Sequence, residues 1–204
     1  MCGIIGIVGR AEVSGRLMEG LRRLEYRGYD SAGICTIRDG QLERRRAEGK
    51  LDNLQRELEA APLAGTVGIA HTRWATHGAP TVGNAHPHIV EGVAVVHNGI
   101  IENFKPLREE MQAKGRRFES ETDSEVVAHL IAEQLGQGRD PEAAVGAVLP
   151  RLRGAFALAI LFRDHPGMII GARQGAPLTV GLGDGESYLG SDALGLAGLT
   201  QQII

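Results

Sequence analysis

Apolar and polar positions change their spacing along this chain, and those changes divide it into strands and helices. From Gly3 to Gly9 small and branched apolar residues alternate, which predicts a buried first strand. Leu17, Met18, Leu21 and Leu24 recur at helical spacing, so a helix is expected from Ser14, placed to cap it, through Leu24. Ser31 to Ile37 and Leu42 to Ala47 read as two strands joined by a turn at Asp39-Gly40. A short polar helix is expected over Leu51 to Leu58, stopping before Pro62. Thr66 to His71 and Val93 to His97 are apolar and β-branched, the composition of core strands.

Between those two strands runs a loop rich in Gly, Pro and His, from Arg73 to Pro87. A loop of that length inside a domain is more often functional than idle. Helices are expected next over Asn103 to Lys114 and over Asp123 to Leu135, the second turning Val126, Val127, Leu130 and Ile131 inward. A third, Pro141 to Leu152, opens with proline in the first turn, where its missing N–H is harmless. The remainder returns to strands at Ala155 to Phe162, Met168 to Ala172, Leu178 to Leu182 and Ser187 to Leu189. Strands, then helices, then strands, without regular βαβ alternation, predict an α+β fold of two mostly antiparallel sheets layered with helices.

Composition narrows the function more by exclusion than by suggestion. The 204 residues suffice for one substantial domain, with 43% hydrophobic and 23% charged residues. A formal net charge of -3 argues against a nucleic-acid footprint or attraction to an anionic membrane. No apolar run approaches the roughly 20 residues of a spanning helix. The first residues, MCGIIGIVGR, lack the basic leader and cleavage pattern of a secretory signal, so a cytoplasmic location is expected. The two cysteines, Cys2 and Cys35, make no disulfide framework and leave a reactive thiol to consider.

Cys2 is informative because of its address. If Met1 is removed, thiol and free α-amine belong to one residue, with pKa values near ~8.5 and ~8. The amine can then take the thiol proton as the sulfur attacks a carbonyl, and no histidine is needed. A buried core cysteine is the plainer alternative, and Cys35, embedded in GICTI, reads that way. In LRRLEYRGYDSAG, the turn carrying Arg27, Gly28, Tyr29 and Asp30 offers N–H groups and a guanidinium to an anion, or is simply a helix end with solvated charges. HTRWATHG sets Arg73, Trp74, Thr76 and His77 at a strand end: an arginine fork suits a carboxylate, and an indole is either a packing anchor or a lid. Asn98-Gly99 in VVHNGIIEN supplies the donors of an oxyanion hole, or an ordinary tight turn. In SETDSEV, Thr122 or Asp123 is expected to cap the following helix, leaving the other to meet an ammonium group. His71, His77, His86, His88 and His97 raise a metal site as an alternative, yet none has the spacing of a helical zinc pair, so no metal is expected.

Taken together, the N-terminal CGI with LRRLEYRGYDSAG, HTRWATHG, NAHPH, VVHNGIIEN and SETDSEV resembles the N-terminal nucleophile, or class II, glutamine amidotransferases, from residue 2 to about residue 195. The YRGYDSAG and TRWATHG forms resemble the branch that serves sugar phosphates. The resemblance implies a four-layer αββα sandwich and a cofactor-free glutaminase. Cys2 would be the nucleophile, forming a γ-glutamyl thioester, and Asn98 with the Gly99 N–H the oxyanion hole. Arg27 and Gly28 would fold beside the thiol, and Arg73, Thr76 and His77 would hold the α-carboxylate of glutamine. Asp123 and the Gly99 carbonyl would hold its ammonium, with Trp74 on the closing loop. It further implies that residues 1–204 are one glutaminase domain, that the sugar isomerase domains of a homo-oligomeric full enzyme lie outside them, and that ammonia goes to fructose 6-phosphate to make glucosamine 6-phosphate. A glutaminase domain for another acceptor is the alternative. A retained Met1 would bury the amine in a peptide bond, leaving a catalytically silent glutamine-binding module.

Overall fold

The alternating run at the start forms β1 (Gly3–Val8), and in this computed structural model, which describes residues 2–204, that strand lies within a seven-stranded sheet. The sequence continues through α1 (Ser14–Leu24), β2 (Ser31–Arg38), β3 (Gln41–Glu48), α2 (Leu51–Ala60) and β4 (Val67–Arg73). Then come β5 (His88–Val90), β6 (Val93–Gly99), α3 (Phe104–Ala113), α4 (Glu125–Gly136) and α5 (Pro141–Val148). It closes with β7 (Phe156–Phe162), β8 (Ile169–Gln174), β9 (Thr179–Leu182), β10 (Ser187–Gly190), α6 (Ala193–Leu196) and β11 (Gln202–Ile203). Met1, whose removal the N-terminal reading requires, lies outside the described residues.

The first sheet runs β11-β9-β10-β1-β4-β2-β3 and the second β5-β6-β7-β8, and every pairing between these strands is antiparallel. One core lies between the sheets, where Ile4, Cys35 and Ile69 meet Ala94, Val96, Ala157 and Ala159. A second puts Leu17, Leu21 and Leu24 of α1 and Leu54 of α2 on the outer face of the first sheet. A third puts Val127, Leu130 and Ile131 of α4 with Val145 of α5 against Val95, Leu158 and Ile160 of the second. Helix, sheet, sheet, helix is the expected αββα stack. β6 and β7 are buried almost throughout because both their faces are covered, which is why they read as continuous apolar runs.

The Asp39-Gly40 turn is as expected, with both residues at positive φ (50° and 71°), the geometry that matches hairpin twist. Two expected caps are not made. Ser14 is the first residue of α1, Val13 stands at its cap, and no side chain caps it. Neither Thr122 nor Asp123 caps α4, which starts after Ser124. Thr122 turns instead to Ser120 and His88, and Asp123 accepts from the Ile101 N–H at 2.7 Å. The loop before α4 is held by Glu125, whose carboxylate takes the N–H groups of Glu119 and Ser120 at 2.8 and 2.6 Å. α5 stops at Val148 and passes into a 3-10 turn, short of the expected Leu152.

Candidate functional site

Cys2 immediately precedes β1, and Gly3 pairs with Thr72 on β4. The thiol is therefore placed by the first sheet's two central strands, next to the point where β4 gives way to the loop that follows Arg73. The Trp74 N–H donates to Sγ at 3.3 Å, and the thiol faces the Trp74 carbonyl oxygen at 3.6 Å. Gly28 is what lets this peptide sit there. A Cβ on Gly28 would lie 2.7 Å from the Arg73 carbonyl carbon and oxygen. Gly28 thus stands behind the Arg73-Trp74 peptide and not in the cleft itself. Burial pushes the Cys2 thiol pKa up, against the smaller opposing pull of the Trp74 N–H.

The opposite wall comes from the second sheet. Asn98 and Gly99 end β6, and the Asn98 amide Nδ2 donates to the Cys2 carbonyl at 3.0 Å, bridging the two sheets. Gly99 has φ +119°, and a Cβ there would fall 2.1 Å from the Ala155 carbonyl oxygen, so only glycine fits this end of the strand. Cys2, Asn98, Gly99, Arg27, Trp74 and Thr76 line a cleft of about 390 Å³, closed by Ile100 and the Gly175–Pro177 turn. The Arg27 guanidinium is drawn aside by an ion pair with Asp192 and lies over the Tyr26 ring, 5.6 Å from its centre.

A second, much tighter recess of about 10 Å³ opens on the other side of Cys2, among Arg73, Thr76, His77, His97, Thr122 and Asp123. Asp123 is buried at 3% exposure. Its Oδ2 is taken by the Ile101 N–H, while its Oδ1 stands 4.0 Å from His77 Nδ1. His77 itself packs edge-on against Phe104 at 5.1 Å. Arg73, also 3% exposed, reaches back along its own loop to the carbonyl oxygens of Ala79 at 3.1 Å, Gly78 at 2.9 Å and His77. The fork expected to meet a ligand carboxylate is here the staple of the loop. Trp74 projects outward, 51% exposed, with its ring edge-to-face with Tyr29 at 5.8 Å.

All the sequence-picked residues therefore gather around one thiol, with Gly28 in support. Cys35 does not: it is fully buried between the sheets, and burial pushes its pKa up to about 12, an inert core thiol. Sequence reasoning missed Asp30, whose carboxylate holds the Ala75 N–H, and Asp192, which holds Arg27. It also passed over His71 and His97 as site residues. Nothing in the local pattern marks Asp192, more than 160 residues from its partner. Asp30 stood inside a motif already singled out. Among the described residues no group of three or more His, Cys, Asp and Glu side chains is placed to hold a metal, and no helix is long and apolar enough to cross a membrane.

A cysteine heading the central strand of one sheet, at the mouth of a cleft against a second sheet packed face to face, defines the N-terminal nucleophile class. Residues 71–196 match the family described as the glutamine amidotransferase domain, and the chain belongs to that family. It is 71% identical over 203 residues to the glutamine–fructose-6-phosphate aminotransferase [isomerizing] of Zymomonas mobilis subsp. mobilis, and 62% identical to one from Rhizobium meliloti. Each match takes in 100% of this chain and 33% of the relative, so the chain spans about a third of the length of these curated proteins. Among solved structures, glutamine phosphoribosylpyrophosphate amidotransferase from B. subtilis, complexed with ADP and GMP, aligns with a TM-score of 0.82 at 27% identity, over 96% of this chain and 43% of that one.

Proposed function

We propose that this chain is a glutaminase domain that converts L-glutamine and water to L-glutamate and ammonia, with Cys2 as nucleophile. The observation that carries this reading is the setting of Sγ. Among the described residues its hydrogen-bond partners are backbone atoms of Trp74 alone, so no side chain stands ready as its base. The raised thiol pKa keeps the resting sulfur protonated, and its proton must go somewhere as it attacks. Once Met1 is removed, the α-amine of Cys2 is the group within reach, and its pKa near ~8 suits the task.

In this mechanism Sγ adds to the side-chain amide carbon of glutamine while its proton passes to the α-amine. The amide oxygen becomes an oxyanion held by the Asn98 Nδ2 and the Gly99 N–H. Collapse of the adduct breaks the C–N bond, the ammonium proton goes to the departing nitrogen, and ammonia leaves a γ-glutamyl thioester. Water then adds to the thioester, glutamate departs and the thiol is restored. Thr76 and His77 hold the α-carboxylate together with Arg73, whose guanidinium shifts part of its donation from the loop carbonyls to the ligand, and Asp123 Oδ1 with the Gly99 carbonyl holds the α-ammonium. Trp74 closes over the bound substrate, Arg27 lines the cleft beside the thiol, and Gly28 lets the Trp74 peptide pack against it. In the longer protein that the relatives represent, ammonia passes to fructose 6-phosphate bound by sugar isomerase domains of a homo-oligomer, yielding glucosamine 6-phosphate. No metal or organic cofactor enters, and a cytoplasmic location fits the chemistry.

The test is to control the N-terminus. A form with an uncleavable residue ahead of Cys2 should fold, bind glutamate and release no ammonia from glutamine. Trimming it so that Cys2 comes first, checked by intact mass, should restore turnover. Full activity in the extended form would move the base to a side chain, with His77 the first to examine.

A further inference from the structure

His71 stands on β4 with none of its surface exposed, and the mechanism above gives it no task. Its Nε2 lies 2.9 Å from the His97 carbonyl oxygen and 3.1 Å from Oδ1 of Asn98. A backbone carbonyl oxygen only accepts, so the shared nitrogen carries the hydrogen. Nδ1 has no partner among the described residues, as befits the bare nitrogen of a neutral ring. Burial keeps the ring neutral, pushing its pKa down to about 3. An N–H aimed at the Asn98 amide admits the amide's oxygen and turns away its NH2. The NH2 is then left on the Cys2 side, where one hydrogen reaches the Cys2 carbonyl and the other remains for the cleft. With the amide turned over, N–H would face N–H at His71 and oxygen would face oxygen at Cys2.

We propose that His71 is a positioning residue for glutamine hydrolysis, locking the Asn98 side chain in the orientation that presents its amide hydrogens to Cys2 and the substrate oxyanion. The order of control crosses the molecule's midline twice. A main-chain carbonyl on β6 fixes the tautomer of a histidine on β4, and that tautomer fixes a side chain back on β6. The inference rests on the reading of Asn98 as an oxyanion donor.

Steady-state glutamine hydrolysis by the chain with Cys2 N-terminal, compared across four variants, tests both. Asn98→Ala should lower kcat by roughly 10²–10³, the usual effect of losing one oxyanion donor. His71→Leu should lower kcat less, on the order of 10- to 100-fold, the scale of losing an orienting partner, with KM little changed. Added to Asn98→Ala, His71→Leu should cost little more, because the group it orients is gone. His71→Gln, which keeps an N–H toward Asn98, should regain much of the rate. An undiminished kcat in His71→Leu beside a damaged Asn98→Ala overturns the role of His71 alone. An undiminished kcat in Asn98→Ala overturns the oxyanion reading and this inference with it. The same fold-loss from His71→Leu in both backgrounds reduces His71 to a general support of the fold. Independently of how any variant folds, ¹⁵N shifts of the His71 ring in the unsubstituted protein should show a protonated Nε2 and a bare Nδ1. A protonated Nδ1 overturns the proposal.

Discussion

Asp123 shows how one side chain divides its labour between fold and ligand. One carboxylate oxygen is fixed by the Ile101 N–H, and the other faces the recess beside His77. Asp123→Asn can keep the first contact through its amide oxygen while replacing the second oxygen with an NH2 that repels an ammonium. The variant should therefore fold normally and bind glutamine about one to two decades more weakly, the worth of a buried charge-assisted hydrogen bond. An amide lacking the α-amine should be hydrolysed at nearly the rate of the unsubstituted protein. Calorimetry showing unchanged glutamine affinity would remove Asp123 from substrate recognition. At this scale the sequence was legible wherever a motif bunches its residues. Cys2, Arg73, Thr76, His77, Asn98, Gly99 and Asp123 all came from short stretches whose members stay together in space. His71 was visible only as one of several histidines, because what matters about it is a contact between strands of different sheets, and no periodicity within one strand reports that.

The loop after β4 is the element whose behaviour the sequence anticipated least well. Its length and its Gly, Pro and His content marked it as functional, but not that Arg73 would fold back onto it. With its two terminal nitrogens on the carbonyls of Ala79, Gly78 and His77, the guanidinium ties one flank of the loop to the end of β4. Asp30 ties the other through the Ala75 N–H, and Gly28 lets the first peptide pack close enough to donate to Sγ. A lysine has the charge but not the planar fork, so it cannot span the same set of acceptors. Arg73→Lys should loosen residues 74–79, seen as faster amide hydrogen exchange there without ligand, and should raise KM for glutamine. Exchange unchanged in that loop with KM raised would assign Arg73 to the substrate alone; exchange raised with KM unchanged would assign it to the loop alone. The two missed caps have different causes: on α1 the helix takes in Ser14 itself and leaves Val13 at the cap, while before α4 tertiary partners claim Thr122 and Asp123. The small late elements, α6 and β11, carry too few residues for any periodic signal.

Across the whole molecule, the two sheets were legible as a pair from the order of strands and helices, while their strand order was not. β1 sits between β10 and β4, partners more than a hundred residues apart in the chain, a choice made by packing and not by neighbouring residues. Where the sheets meet beside the site they enclose four histidines, His71, His86, His88 and His97, each no more than 4% exposed. The His86 ring lies 4.2 Å from His71 and 4.6 Å from His88, and neither of its nitrogens has a hydrogen-bond partner among the described residues. Burial lowers all four pKa values, to about 3 for His71 and His88 and well below the usual value for His86. A lowered folded-state pKa means the unfolded chain takes up protons first, near pH 6.5, while the folded chain refuses them. Stability should thus be level above that pH and fall as pH drops below about 6.5, by about 1.4 kcal/mol per pH unit for each histidine that stays neutral in the folded chain. Glu125 and Glu186, both held down to about 2, add to the loss once the pH passes below the ordinary carboxylate range near 4.5. His86→Phe isolates one of these contributions. It removes a proton acceptor that has no hydrogen bond to lose and puts a ring of similar breadth between two others. Chemical denaturation at a series of pH values should give a variant as stable as the unsubstituted protein at pH 8. Between pH 6 and 4 its stability should fall less steeply, by the slope of one proton. Parallel curves for the two proteins across that range would show that His86 takes up its proton in the folded state as readily as in the unfolded one.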